Sequence, residues 1–410
     1  MPRRCIVKSG VGSNTSHTNP ETGRPTLAWR FHLADSLIEQ FEKMALAAVI
    51  PKPHAPVEIC ELSLPELEEN SAILEVELSE VCGTDVYLQQ GRLDGVPYPL
   101  IPGHVSVGQL SKVRGKLLDI QGTKLVEGDR VTFHDVHRTC NACWFCLVAK
   151  ATTRCPSRKV YGITYGLQDG PCGGWAEQLY LKPETRCIRV EVEPGKFMGG
   201  GCALTTALHA VERGEIRLGD YVLVLGSGPV GISSIILALM SGALRVLCIG
   251  APELRLEAAR QAGAFATLNF ESCSTTERHS WVKENTFGRG ADVTIEATGS
   301  PDAVVEAFRY TRDAGRVVVV GQYTDHGPVA AESAFNPHLD VNKKHLDVRG
   351  CWGSDFSHFF RGAQIISDPV RSVPWQAMQL QRYGLSNVNE ALGDVAAGRV
   401  LKAIVDPRME

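Results

Sequence analysis

Two rhythms of apolar and polar positions divide the chain. From about residue 58 to 200 the pattern is short and strand-like. "SAILEVELSEV" (71–81) alternates at period two, and "KLVEGDRVTFH" (124–134) does the same after a turn. Gly and Pro interrupt this region repeatedly, which predicts a β-rich domain with many loops. From about 216 the rhythm changes. "DYVLVLGSG" reads as a buried strand, "PVGISSIILALMSGA" as an apolar helix, "RVLCIG" as a second strand and "ELRLEAARQAGA" as an amphipathic helix. "ADVTIEATG" and "GRVVVVGQY" are further buried strands with helical stretches between them. Such alternation predicts an α/β, doubly wound parallel sheet. After 350 the pattern is irregular and ends in the strand-like "VLKAIVDP". Residues 1–43 are polar and read as an extension with little fixed structure, with Met44 as a possible start. "SLIEQFEKMALAAVI" has room for a short helix.

Composition narrows the class. A chain of 410 residues is too long for one ordinary core and predicts two domains. With 44% hydrophobic and 21% charged residues it reads as globular. A net charge of -4 without a basic run argues against nucleic acid or an anionic membrane as partner. No stretch reaches the ~18 apolar residues of a membrane span. The start has two arginines but no following apolar region, so no signal peptide is expected and the location is read as cytoplasmic.

Gly226-Ser227-Gly228-Pro229-Val230-Gly231 follows the strand "YVLVL" and opens a helix, the context of a dinucleotide site. The first glycine permits the tight turn, the second lets the backbone approach a pyrophosphate, and the third lets helix and strand pack closely. The second strand would end in an acid holding the adenine ribose of NAD, but Gly250 stands there. Glu253 would repel a 2′-phosphate, and Arg255, the only cation nearby, reads as a solvated helix residue. NAD is slightly preferred over NADP.

Thirteen cysteines are a high count, and four are clustered. Cys140, Cys143, Cys146 and Cys155 follow a C-x2-C-x2-C-x8-C pattern. Four thiolates at such spacing can enclose one tetrahedral zinc ion and leave no open position, which makes the site structural. "VCGTDVY" (81–87) is open from its own residues: a metal site, a reactive thiol or the end of a strand.

Taken in order, "VCGTDVYLQQG", "IPGHVSVG", the four-cysteine lobe, "GCALTTALHA", "VLVLGSGPVG" and "GRGADVTIEATG" resemble a zinc-dependent alcohol dehydrogenase of the medium-chain dehydrogenase/reductase superfamily, over roughly 55–410. The gap before Cys155 is one residue longer than the commonest spacing. It resembles a bacterial subgroup that shares "CPxRKVYG" (Cys155 to Gly162) and "SDxSHF" (Ser354 to Phe359). The resemblance implies a GroES-like catalytic domain over 44–203 and 351–410, and a Rossmann coenzyme domain over 204–350. It implies two zinc ions per chain, an alcohol or carbonyl substrate (a secondary alcohol by expectation), and a homo-dimer or homo-tetramer. Cys82, His104 and Cys202 match the three catalytic zinc ligands, which leave a fourth position open. Thr84 matches the hydroxyl that takes the alcohol proton, and Asp85 the acid that orients the ligand histidine. Lys402 matches a basic position near the coenzyme, against the alternative of an exposed lysine. Two departures stand out. Val105 replaces a glutamate common after the ligand histidine, and Tyr87 replaces a histidine that often ends the proton relay. A phenol with a pKa near ~10 is a poor base at neutral pH. A polyol or amino-alcohol dehydrogenase is the nearest alternative. A non-catalytic zinc- and nucleotide-binding relative is a more distant one.

Overall fold

The computed structural model describes residues 44–409 and the backbone of Cys5–Val7. The expected extension, 1–43, otherwise lies outside the described residues. Cys5–Val7 departs from that expectation: it forms a strand parallel to Glu58–Ser63. Met44–Val49 pairs antiparallel with the same strand, so this end of the "SLIEQFEKMALAAVI" stretch is not helical. Alanine and leucine favour helix locally. Here Ala45, Ala47 and Ala48 are buried in a sheet, and tertiary packing overrides the propensity.

The long strand Ser71–Val81 anchors a seven-stranded sheet. It pairs antiparallel with Ser106–Arg114 along one edge, and along the other with Gln178–Leu181 and Lys402–Val405. The chain's last strand thereby returns to lie beside Ser79–Val81, with Ala403 opposite Val81. The second large sheet is parallel throughout, in the order Ala266–Asn269, Arg245–Gly250, Tyr221–Leu225, Ala291–Glu296, Thr311–Val319, Asp347–Gly350. Its central strand is buried at all five positions, as a parallel strand covered on both faces must be. This is the doubly wound sheet expected from the alternating strands and helices.

One helix, Pro194–Gly214, joins the two sheets. Ala207 and Val211 on it share an apolar cluster with Leu78 and Val107 of the first sheet and with Val222 and Val224 of the second. The helix bends at Gly201, whose φ of 49° and ψ of -147° are non-helical. The bend falls one residue before Cys202.

Candidate active site

Cys82 stands at the end of strand Ser71–Val81, as the residue capping helix Gly83–Gln89. Asp85, in the first turn of that helix, reaches back and accepts the Cys82 N–H through Oδ2 at 2.8 Å. Local capping thus holds "CGTD" in one shape. His104 comes from the loop before Ser106–Arg114, and Cys202 from the bent helix. These three residues bring their ligand atoms within 4.8 Å of one another, with Cys82 Sγ 3.7 Å from His104 Nε2. Zinc–ligand bonds of about 2.0–2.3 Å in a tetrahedron set ligand atoms about 3.5–3.8 Å apart, so the set fits zinc. The opposite ring nitrogen, Nδ1, lies 3.7 Å from Asp85 Oδ1, and both atoms are buried without a hydrogen-bond partner. Asp85 therefore faces the histidine as expected, but does not hydrogen-bond it at this distance. A hydrogen bond with Cys202 lowers the Cys82 thiol to about 7, against the effect of burial. Burial disfavours charge on His104, yet Cys82 and Asp85 together raise its pKa well above the ordinary value.

Behind Cys202 lies a buried ion pair. Lys402 Nζ is 2.8 Å from Glu80 Oε1 and also donates to the Gly200 carbonyl at 3.2 Å. Glu80 Oε2 accepts the Cys202 N–H at 2.8 Å, and its Oε1 is 3.5 Å from Cys202 Sγ. Lys402 is thus neither an exposed lysine nor free for a coenzyme: its ammonium is engaged beside the metal ligand. Gly201 is required here. A Cβ on it would fall 2.1 Å from Glu80 Oε2 and 2.4 Å from Lys402 Nζ. Val105, in the place of the family's glutamate, packs on the apolar cluster instead.

Cys140, Cys143, Cys146 and Cys155 form the second constellation, again with all Sγ atoms within 4.8 Å. Cys140 and Cys155 are 3.5 Å apart, Cys143 and Cys146 3.6 Å. Backbone N–H groups of Ala142 and Cys143 lower the Cys140 thiol to about 6, so it is ready as a thiolate. The four sulfurs, with no further His, Cys, Asp or Glu in the group among the described residues, fit a closed tetrahedral zinc.

A cavity of about 300 Å³ runs past Cys82, His104 and Cys202 to Gly228, Pro229 and Val230. Gly226 has a φ of 104°, and a Cβ on Gly231 would meet the Gly226 carbonyl at 1.9 Å, so turn and helix–strand packing both demand glycine. A Cβ on Gly228 would meet nothing within 4 Å, which leaves its backbone open to the cavity. That is the cradle a pyrophosphate needs at the start of helix Pro229–Met240. At Gly250 a Cβ would come 2.4 Å from Ser227 Oγ, which explains why no acid stands there. Arg255 is not solvated as expected. It lines the cavity, donates to the Val400 carbonyl at 3.3 Å and keeps its Nε buried without a partner.

Comparison with known proteins points the same way. Residues 68–192 match the alcohol dehydrogenase GroES-like domain, and 229–368 the zinc-binding dehydrogenase domain. An alcohol dehydrogenase from Thermotoga maritima superposes with a TM-score of 0.82 at 31% identity, over 89% of this chain and all of that one. The chain belongs to the zinc-dependent alcohol dehydrogenase family of the medium-chain superfamily. The dehydrogenase is 28% identical to 5-exo-hydroxycamphor dehydrogenase of Pseudomonas putida, over 88% of this chain and 98% of the relative. It is 26% identical to erythritol/L-threitol dehydrogenase of Mycolicibacterium smegmatis, over 87% and 96%. It is an oxidoreductase acting on alcohols, with zinc and a nicotinamide coenzyme. Among the described residues no helix is long and apolar enough to cross a membrane.

The cavity also holds residues that the motifs did not announce. Thr84 and Tyr87 line it as expected, but so do Asp135, Arg158 and Tyr323. Tyr87 packs edge-on against His326 (centroids 5.5 Å apart), with the Arg92 guanidinium over its ring. His134 and His137 are buried, and His137 is tied to Tyr165 and the Pro183 carbonyl. Asp355 caps helix Phe356–Ser367, and His209 bonds the Gly353 carbonyl. Arg158 lies within "CPSRKVYG", the segment shared with the bacterial subgroup, which by itself assigns no role to the arginine.

Proposed function

We propose that the dehydrogenase transfers hydride between an alcohol, preferably secondary, and NAD or NADP at the site of Cys82, His104 and Cys202. A second, structural zinc is held by Cys140, Cys143, Cys146 and Cys155, making two per chain. The observation that carries this reading is the convergence of the three ligand atoms on a cavity whose far wall is the open Gly228 backbone. Zinc supplies a Lewis acid that lowers the pKa of an alcohol, and nicotinamide supplies the hydride acceptor. Thr84, on the cavity wall, accepts the alcohol proton. Asp85 fixes the His104 ring by facing its Nδ1. The apolar wall of Ile163 and Phe359 excludes water from the reacting carbon.

Tyr87 is not a base for the proton's exit. Burial raises its phenol, so it holds no charge near neutral pH. His326 packs edge-on against its ring, but its Nδ1 accepts from the Arg92 guanidinium at 3.0 Å and its Nε2 lies 3.3 Å from Thr324 Oγ1, so the imidazole is engaged away from Tyr87. Burial and the nearby Arg92 lower the His326 pKa, which keeps the ring neutral.

Coenzyme choice turns on Gly250 and Arg255. The slight preference for NAD assumed a solvated Arg255. With its guanidinium in the cavity and no carboxylate at 250, a 2′-phosphate is accommodated, and both coenzymes are proposed to serve. A dimer or tetramer is the proposed assembly.

The test is an oxidation screen of primary, secondary, cyclic and polyol alcohols with each coenzyme, run on the wild type and on Thr84→Val. Thr84→Val is expected to keep zinc and coenzyme but to lose about 10²–10⁴-fold in kcat. Undiminished turnover would sink the assignment of Thr84. Turnover of polyols alone would favour the polyol reading.

A further inference from the structure

A second cavity, of about 330 Å³, lies between the four-cysteine lobe and the segment 354–357. It shares two wall residues, Arg158 and Ser354, with the cavity that holds Cys82 and His104. The two spaces therefore adjoin at Arg158.

Two side chains at this junction, Arg158 and His134, keep buried polar atoms without hydrogen-bond partners. Arg158 forms no ion pair among the described residues, and its Nε is buried with no hydrogen bond. Its guanidinium rests 5.6 Å from the Trp352 ring, which stacks on Tyr323 beside the metal ligands. That support fixes the charge in place without neutralising it. Arg186, an exposed residue on the wall of the second cavity, rests over the Phe356 ring and forms no ion pair among the described residues, which leaves its charge available from solvent. His134 is 3% exposed, and neither ring nitrogen has a hydrogen-bond partner. Burial holds its pKa down to about 4, so the ring stays neutral and contributes a hydrogen bond rather than a charge.

Buried polar groups without partners are costly, and native interiors rarely keep several together unless something else completes them. Two carboxylates also face this space. Asp355 is already spent on the Ser357 and His358 N–H groups and the His358 ring. Asp135 lies 3.7 Å from His134 Nε2, pairs with neither arginine, and is 25% exposed. What the junction lacks is a negatively charged acceptor for these guanidinium groups, reaching from the metal site past Arg158.

We propose that the substrate is an alcohol whose far end carries an anionic group, a carboxylate or a phosphate, bound by Arg158 and Arg186 with His134 as a neutral hydrogen-bonding partner. This rests on the reading of the site as an alcohol dehydrogenase and names the class of alcohol. The hydroxyl end sits at Cys82, His104 and Cys202, and the anionic end in the second cavity. Planar guanidinium groups suit either anion through paired N–H donors.

The test uses matched alcohols on the zinc-loaded protein: 2-pentanol, 4-hydroxypentanoate and 2-hydroxypropyl phosphate. The anionic members are expected to exceed 2-pentanol in kcat/KM, mainly through KM. In Arg158→Gln the ratio of anionic to neutral kcat/KM is expected to fall about tenfold to a hundredfold, the worth of a charge-assisted hydrogen bond. In Asp135→Asn that ratio should rise. A binding readout stands apart from turnover: pentanoate and inorganic phosphate should raise the unfolding temperature of wild type but not of the Arg158→Gln, Arg186→Gln double variant. Equal or better oxidation of 2-pentanol, or an unchanged ratio in Arg158→Gln, overturns the proposal. If no alcohol is oxidised while the anions still protect the wild type alone, the dehydrogenase reading fails and the anion site stands. Which of 4-hydroxypentanoate and 2-hydroxypropyl phosphate is preferred tells carboxylate from phosphate.

Discussion

Replacing Lys402 by methionine tests the buried pair behind the metal ligand. The side chains of Lys402 and Glu80 are 1% and 2% exposed, with Nζ and Oε1 2.8 Å apart. Methionine keeps the length and apolar stem but leaves the Glu80 carboxylate alone in a dry site. Breaking one partner of such a pair costs about 3–5 kcal/mol, since the remaining charge loses its compensation. That is a large share of the roughly 5–15 kcal/mol that holds a domain folded. Glu80→Gln should cost a similar amount, by stranding the ammonium. The double variant should recover most of the loss, because the glutamine oxygen still accepts the Cys202 N–H and no lone charge remains. Urea unfolding of the four proteins, each saturated with zinc, gives the cycle. A coupling of at least about 2 kcal/mol is expected for groups in direct contact. Because Glu80 also anchors Cys202, the single variants should lose metal about 10–100-fold more readily. If both single variants unfold within about 0.5 kcal/mol of wild type and the coupling is nil, the pair contributes nothing and the argument fails.

The bend before Cys202 is equally testable: Gly201→Ala places a Cβ against the same ion pair and forces φ of 49° on a non-glycine residue, and should cost at least ~2 kcal/mol by thermal or urea unfolding. On the proposed count of two zinc ions per chain, Cys146→Ser should lower bound zinc to one by elemental analysis while the Cys82 site keeps its metal; loss of both would merge the two sites into one. His134 gives the pH dependence: its folded pKa is depressed to about 4 from 6.5, so the unfolded chain binds the extra proton between those values. Its contribution is therefore complete above pH 6.5 and lost as pH falls toward 4, on the order of 3 kcal/mol at about 1.4 kcal/mol per unit. His134→Gln should flatten the stability slope across that window, and an unchanged slope would show that His134 is not the group titrating.

Much of this architecture was legible in the chain because it is written locally. The parallel sheet follows from short apolar runs set between amphipathic helices, and the glycine turn at 226–231 follows from strand-before and helix-after context. The four-cysteine group was legible from its spacing, whereas Cys82, His104 and Cys202, scattered along the chain, were legible as a set only through the family resemblance. What stayed hidden depends on which distant residues meet. Glu80 and Lys402 are separated by most of the chain and meet only through antiparallel pairing at Val81 and Ala403. Arg255 looked like a solvated helix residue because its neighbours, Gly398 and Val400, come from the returning C-terminal segment. Arg158 hid inside a motif whose cysteine drew the attention. Met44–Val49 read as helix-compatible because alanine's preference is local and the strand that pairs with it is not.

The helix Pro194–Gly214 has a mechanical consequence. It packs along helix Pro229–Met240, whose first turn is the proposed pyrophosphate cradle, and its own bend precedes Cys202, a proposed metal ligand. One rod therefore sets the spacing between the proposed metal site and the proposed pyrophosphate cradle. Any displacement of one sheet against the other must be absorbed at Gly201 or be transmitted as a pull on Cys202.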